Sequence, residues 1–176
     1  MKVICISGKA RHGKDTFAGM LNEQLTAKGY RVLTTHFGDL VKYICEKFFN
    51  WDGAKDEKGR TLLQYVGTDV VRKQRPSYWT DFIVSVLELF PNEWDYVLIP
   101  DCRFPNEVEC FIEHGMDTTL IRINRPNFVS NLTPEQLKHP SETAMDDYPP
   151  NLYVINDGTL EDLSDSIKDI LAFIGG

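Results

Sequence analysis

The stretch Gly8-Lys9-Ala10-Arg11-His12-Gly13-Lys14-Asp15-Thr16 constrains this chain more than any other part of it. It follows the apolar run Val3-Ile4-Cys5-Ile6 and leads into a segment, about Lys14 to Lys28, that reads as a helix stopped by Gly29. Two glycines five apart, then Lys, between a strand and a helix, form the pattern of a phosphate-binding loop. Gly8 and Gly13 let the backbone N–H groups of a loop that includes Arg11 and His12 curl around a polyphosphate. The helix N-terminus adds donors and a favourable dipole. Lys14 brings positive charge to the β- and γ-phosphates. Asp15 stands where Ser or Thr usually follows the Lys, and the hydroxyl comes one later, at Thr16. A carboxylate there is tolerable mainly when a cation lies between it and the phosphates, or when it points away. The competing reading is a turn that merely joins a strand to a helix.

The 176 residues suit one domain with an ample core. A net charge of -7 argues against a broad nucleic-acid footprint. No apolar run approaches the roughly 20 residues that span a bilayer, and the first apolar run is too short for a signal peptide. Cys5, Cys45, Cys102 and Cys110 lack CxxC spacing and read as reduced thiols of a cytoplasmic protein.

Strands are expected at Lys2–Ser7, Arg31–His36, Tyr96–Pro100, Thr118–Ile123 and Leu152–Asn156. All are short and almost continuously apolar, as strands buried on both faces are. Helical patterns at Lys14–Lys28, Pro105–His114 and Leu160–Phe173 alternate with them, which argues for a parallel α/β sheet. Between the second and third strands, about sixty residues read as three helices: Asp39–Phe49, Thr61–Arg72 and Tyr78–Phe90. That is too long for one crossover and suggests a helical insertion over one end of the sheet. Arg125–Pro150 holds five prolines and little periodicity; it reads as a lid or a static surface excursion.

Arg60, Gln64, Thr68 and Arg72 recur at four-residue steps and form one polar stripe on a helix. A solvated face gives this pattern too, but two Arg, a Gln and a Thr without Glu or Lys suit a ligand wall. Gly67 in mid-helix lowers propensity and often marks a close approach to the backbone. Asp101-Cys102-Arg103 follows an apolar strand at its C-terminal end, where ligands of open α/β sheets bind. Asp101 there can hold Mg²⁺ or a substrate, and Arg103 can reach a phosphate; a helix cap with a salt bridge is the alternative. Arg122, Arg125, Lys138 and His139 bring positive charge to the lid region. Asn156-Asp157-Gly158 can turn the chain over a nucleotide base or simply cap the last helix. Trp79, just past the stripe, can stack on a base or belong to the core.

Together these residues resemble the bacteriophage-type deoxynucleoside monophosphate kinases. The likeness is carried by Gly8…Gly13-Lys14-Asp15-Thr16, Arg60…Leu62-Leu63-Gln64…Gly67-Thr68…Arg72 and Asp101-Cys102-Arg103-Phe104-Pro105-Asn106-Glu107. It extends to His139-Pro140-Ser141-Glu142 and to Asn156-Asp157-Gly158-Thr159-Leu160. The resemblance implies an α/β P-loop NTPase three-layer sandwich: a five-stranded parallel sheet, a helical monophosphate-binding insertion and a short lid. The core would be residues 1–37, 93–124 and 151–176, the insertion about 38–92 and the lid about 125–150. The activity implied is transfer of the ATP γ-phosphoryl group to a dNMP, with Mg²⁺, in the cytoplasm of a phage-infected or prophage-carrying host. Gly8, Arg11, His12, Gly13, Lys14, Asp15 and Thr16 would surround the ATP phosphates, with Asp15, Thr16 and Asp101 as metal candidates. Asn156 and Gly158 would approach the adenine. Asp39, Lys42, Arg60, Gln64, Thr68, Arg72, Trp79, Asp101, Arg103 and Glu142 would meet the acceptor. Lys14, Arg72, Arg103 and Arg125 would neutralise the transition state.

Other readings keep the phosphate loop and change the rest. One is a kinase of another small acceptor, such as phosphomevalonate or dephospho-coenzyme A. Another is an accessory protein that binds a nucleotide without transferring from it. A GTPase would need an Asn-Lys-x-Asp motif, which the sequence lacks. A DNA-end kinase sits poorly with the acidic charge. The expected partner is a small-molecule dNMP rather than a membrane or nucleic acid; the sequence is compatible with a homodimer but does not fix the oligomeric state.

Overall fold

The computed structural model describes residues 1–175. Five parallel strands form one sheet: β1 (Lys2–Ser7), β2 (Val32–Thr34), β3 (Tyr96–Cys102), β4 (Asp117–Asn124) and β5 (Leu152–Ile155). Their order is β2-β3-β1-β4-β5, so the strand that feeds the phosphate loop is central. Val3 pairs with Val97 on one side and Thr118 on the other. Val3 through Ile6 have no exposed surface, which explains a run without polar alternation.

Side chains alternate between the two faces of the sheet. Val3, Cys5, Val97, Ile99 and Leu120 face one core, built with α2 (Gly38–Phe48), α4 (Tyr78–Leu89) and α5 (Asn106–Glu113). Ile4, Ile6, Leu98, Ile121 and Ile123 face the other, built with α1 (Lys14–Ala27) and α8 (Leu160–Ile174). The result is the expected three-layer sandwich. One correction concerns the insertion, which does not lie only over the sheet end. Val41 of α2 and Ile83, Val84 and Leu87 of α4 are part of the first core. β2 and β3 are parallel neighbours, so their crossover must cover a sheet face.

β2 is shorter than its apolar pattern, whereas β3 runs past Pro100 to Cys102. Pro100 has no N–H to give and falls at a register shift, where Cys5 pairs with Ile99 but Ser7 with Cys102. That extension carries Asp101 to the rim of the sheet. The second helix of the crossover starts earlier than expected, as α3 (Glu57–Gln64), because the Asp56 side chain accepts the Gly59 N–H at 2.8 Å. It continues without a break as a π-helical segment, Tyr65–Arg72. The lid contains α6 (Pro134–Lys138) and α7 (Pro140–Thr143). Helices of five and four residues are too short to show a period, but α6 has a full capping box between Thr133 and Gln136. All four cysteines are free thiols. Among the described residues, no helix is long and apolar enough to cross a membrane.

Candidate active site

The loop between β1 and α1 owes its shape to its glycines. Gly8 has φ +146° and Gly13 φ +94°, and a Cβ on them would lie 2.4 Å from the Ile123 carbonyl oxygen and 2.3 Å from Asn156 Nδ2. Arg11, at φ 62°, is also left-handed. α1 begins at Lys14 with no side-chain cap, so its first turn presents backbone N–H groups to an anion. Lys14 is buried, and its Nζ donates to the carbonyls of Gly8 (2.8 Å) and Lys9 (2.9 Å). Burial, with help from nearby Arg103, lowers its pKa to about 8 against the opposing pull of Glu142, Asp15 and Asp101.

A cleft of about 630 Å³ opens beside Lys14. The phosphate loop and α1 contribute Arg11, Lys14 and Asp15 to its lining and the insertion Arg60, Gln64, Thr68 and Arg72, with Lys42, Trp79, Asp101, Arg103 and Glu142 completing it. The stripe is therefore a cavity wall and not a solvated face. Helix geometry helps to keep it straight. In an α-helix, steps of four overshoot a full turn by about 40°. From Tyr65 the wider π-turn reduces that drift, and such turns recur at functional sites. Gly67 is close to Val41, whose Cγ1 would be 3.3 Å from an added Cβ, so what approaches its backbone is α2.

Arg72 is held on several sides. Nη1 donates to Asn106 Oδ1 (2.9 Å) and Pro76 O (3.4 Å), Nη2 meets Glu107 Oε1, and Cζ lies 3.9 Å above the Phe104 ring. Arg103 donates from Nη1 to Ser141 O at 2.9 Å and to Glu142 Oε1. Glu142 Oε2 accepts the Ala10 N–H at 3.1 Å, so the lid is fastened to both the phosphate loop and Arg103.

Asp101, expected as a metal or substrate ligand or as a helix cap, lines the cleft and also bonds the backbone where the insertion begins. Its Oδ1 accepts the Phe37 N–H at 3.0 Å and its Oδ2 the Gly38 N–H at 2.8 Å. Each oxygen thus accepts one backbone N–H at the N-terminus of α2, as the helix-cap reading expects, and keeps a second lone pair. Desolvation raises the Asp101 pKa, with the two backbone bonds and the charges of His36 and Arg103 opposing it. Asp15 Oδ1 lies 3.2 Å from His36 Nε2, a bond that lowers the Asp15 pKa and raises that of His36. His36 Nδ1 lies 3.4 Å from Asp39 Oδ2, and Asp39 Oδ1 accepts from Lys42 Nζ at 2.7 Å. Lys42 lines the cleft, whereas Asp39 is outside its wall.

Several expected residues stand around the cleft rather than on it. The Asn156 side-chain amide donates to the His12 carbonyl at 2.9 Å and buttresses the phosphate loop. Gly158 leaves room for the Asp162 carboxylate, which would lie 2.4 Å from a Cβ there. Arg125 donates its backbone N–H to His12 Nδ1 at 3.2 Å, and its guanidinium lies 5.3 Å from the Phe128 ring centroid. Thr16 is exposed in the first turn of α1. The Trp79 ring is corrected from a stacking platform to a core group: it is 2% exposed, with Nε1 donating to the Gly67 carbonyl at 2.9 Å. His36, Lys55, Phe104 and Glu107 also line the cleft and were not singled out from sequence. His36 has a signal in its place at the C-terminal end of a strand, and Phe104 and Glu107 belong to the run Asp101–Glu107 that carries the family resemblance.

Sheet order, phosphate loop and helical crossover define a P-loop kinase fold. Shikimate kinase from Aquifex aeolicus superposes with a TM-score of 0.54 at 16% identity, covering 100% of both chains. The Mycobacterium tuberculosis APS kinase in complex with AMPPNP and APS gives 0.51 at 12% identity over 97% of both. At these identities the likeness concerns the fold alone. Residues 36–167 match the deoxynucleotide monophosphate kinase family, and the chain belongs to that family. The deoxynucleotide monophosphate kinase of Enterobacteria phage T4 is 33% identical over 114 residues, and that of Escherichia phage RB69 is 31% identical over 114. Each alignment takes in 64% of this chain but 44% of the phage protein, so the chain matches less than half the length of these relatives. A protein of Acanthamoeba polyphaga mimivirus, provisionally described as a kinase of this kind, is 26% identical over 95% of this chain and 94% of its own.

Proposed function

We propose that this chain is a deoxynucleoside monophosphate kinase that moves the γ-phosphoryl group of ATP to the 5′-phosphate of a dNMP. The observation that carries the proposal is the shared cleft: Lys14 of the phosphate loop and the Gln64–Thr68–Arg72 stripe line the same cavity. The loop suits a polyphosphate, the stripe a base and a phosphate. In this reading the loop amides and Lys14 hold the donor, Arg72 the acceptor phosphate, and Gln64 and Thr68 the base. Arg103 and the lid Arg125 add positive charge where charge spreads during transfer. Orientation within a closed lid does the rest and keeps water out.

Mg²⁺ would screen the phosphates. Among the described residues, no three His, Cys, Asp or Glu form a metal-holding group. That suits an ion held mainly by substrate phosphates and water, with Thr16 and Asp15 as the nearby protein oxygens. The acceptor needs no protein base, because a phosphate monoester loses its second proton near pH ~6. Initial rates for Gln64→Ala and Arg72→Ala with each dNMP test the assignment. Gln64→Ala should alter the ranking of acceptors, and Arg72→Ala should weaken all of them, with the KM for ATP little changed. Unaltered acceptor kinetics in both would return the stripe to a structural role.

A further inference from the structure

We infer that Glu107 is a positioning residue of the acceptor site: one buried carboxylate, helped by Asn106, fixes the Arg72 guanidinium on one side and the Arg103 turn on the other. The inference rests on the kinase reading above.

Glu107 is 3% exposed, in the first turn of α5. Oε1 accepts from Arg72 Nη2, while Oε2 accepts the backbone N–H groups of Arg103 (2.6 Å) and Phe104 (3.1 Å). Burial pushes its pKa up to about 7, against the pull of Arg72 and of the two backbone bonds. Each contact is a donor pointing at an oxygen, a pattern that only an ionised carboxylate satisfies throughout. The ion pair crosses from the insertion to the β3–α5 turn, so it ties together the segments that carry Arg72 and Arg103 into the cleft. Arg72 has five N–H donors; three are committed, to Asn106, Pro76 and Glu107, which leaves two for a phosphate. Its plane is set by the Phe104 ring beneath it. An arginine left free would sample many rotamers, and fixing it in advance lowers the cost of meeting the phosphate. Gln at position 107 has one acceptor oxygen and one NH₂. It must turn the NH₂ against either Arg72 or the two backbone donors.

The test is a double-mutant cycle on the whole chain, with ATP, Mg²⁺ and each of the four common dNMPs as acceptors. Glu107→Gln should lower kcat/KM for the acceptor roughly 10- to 100-fold while the KM for ATP stays within about twofold. In an Arg72→Ala background the same change should cost less than about threefold, because with no guanidinium facing it the amide can turn its one oxygen to the Arg103 and Phe104 N–H groups and keep that turn in place. Asn106→Ala, at a half-buried site, should give the same signature at roughly three- to tenfold. If melting curves show that Glu107→Gln does not fold, the Asn106–Arg72 cycle decides alone. With an active wild type, unchanged acceptor kinetics in both variants, or losses that multiply with Arg72→Ala, would overturn the positioning role. A wild type that phosphorylates no dNMP would overturn the kinase reading instead, and the positioning role with it.

Discussion

Glu142 of the lid accepts the N–H of Ala10 in the phosphate loop at 3.1 Å, while its other oxygen takes Arg103. A carboxylate thus occupies a loop amide and an arginine that would both serve a phosphate. Truncation should release them. Glu142→Ala is expected to bind ATP roughly three- to tenfold more tightly in the absence of acceptor, read by titration calorimetry. Weaker binding would mean that Glu142 stays in place beside the nucleotide and orders the lid.

The two loop glycines should fail for different reasons. Alanine at Gly8 drives a methyl into the Ile123 carbonyl, which is strand backbone and cannot yield. Alanine at Gly13 meets the end of the Asn156 side chain. Both also strain a positive φ, at a cost of about 1–3 kcal/mol. Gly13→Ala should therefore regain part of its lost melting temperature on adding Asn156→Ala, and Gly8→Ala should not. Equal rescue of both would refute the steric assignment.

Asp101→Asn should lower stability, because one of two backbone N–H groups at the start of α2 loses its acceptor, worth about 1–3 kcal/mol. Raising Mg²⁺ should not restore the activity lost. Recovery of turnover with Mg²⁺, at an unchanged melting temperature, would give the carboxylate back to the metal.

Lys14 supplies a pH dependence with a definite sign. Burial holds its pKa near 8 without ligand, and a bound polyphosphate must raise it. Below pH 8 both free and bound states carry the proton. Above it the free state has lost the proton and binding must take one up, so affinity falls as pH rises, by up to about tenfold per unit. Calorimetry with ATP between pH 7.5 and 9.5, in buffers of different ionisation enthalpy, should show this uptake in the wild type and not in Lys14→Ala. A flat affinity across that range would place the ammonium away from the phosphates.

The parts of the site legible in sequence are those encoded locally. Gly8, Gly13 and Lys14 announce themselves by spacing between a strand and a helix, and the Arg60–Arg72 stripe by its period. Asp101 was visible as a carboxylate at a strand end, but its partners Phe37 and Gly38 lie more than sixty positions earlier, and only the pairing of β2 with β3 brings them together. Glu107 is legible only as the end of the Asp101–Glu107 run that carries the family resemblance; its burial and its pairing with Arg72 leave no mark on the pattern. Asn156 is expected from sequence near the adenine, and no sequence signal says that its amide turns instead to the His12 carbonyl of the phosphate loop. The π-segment and the two short lid helices have no period of their own to reveal them.

On this account the cleft holds two nucleotides and passes a phosphoryl group between them. ADP release from ATP and Mg²⁺, measured with each dNMP and each NMP offered separately, tests it most directly. The expected result is ADP formed only when a monophosphate is present, matched by a nucleoside diphosphate, with Lys14→Ala slower by roughly 10²–10³-fold for every acceptor and folded as the wild type. No monophosphate-dependent ADP, or equal turnover in Lys14→Ala, would contradict it.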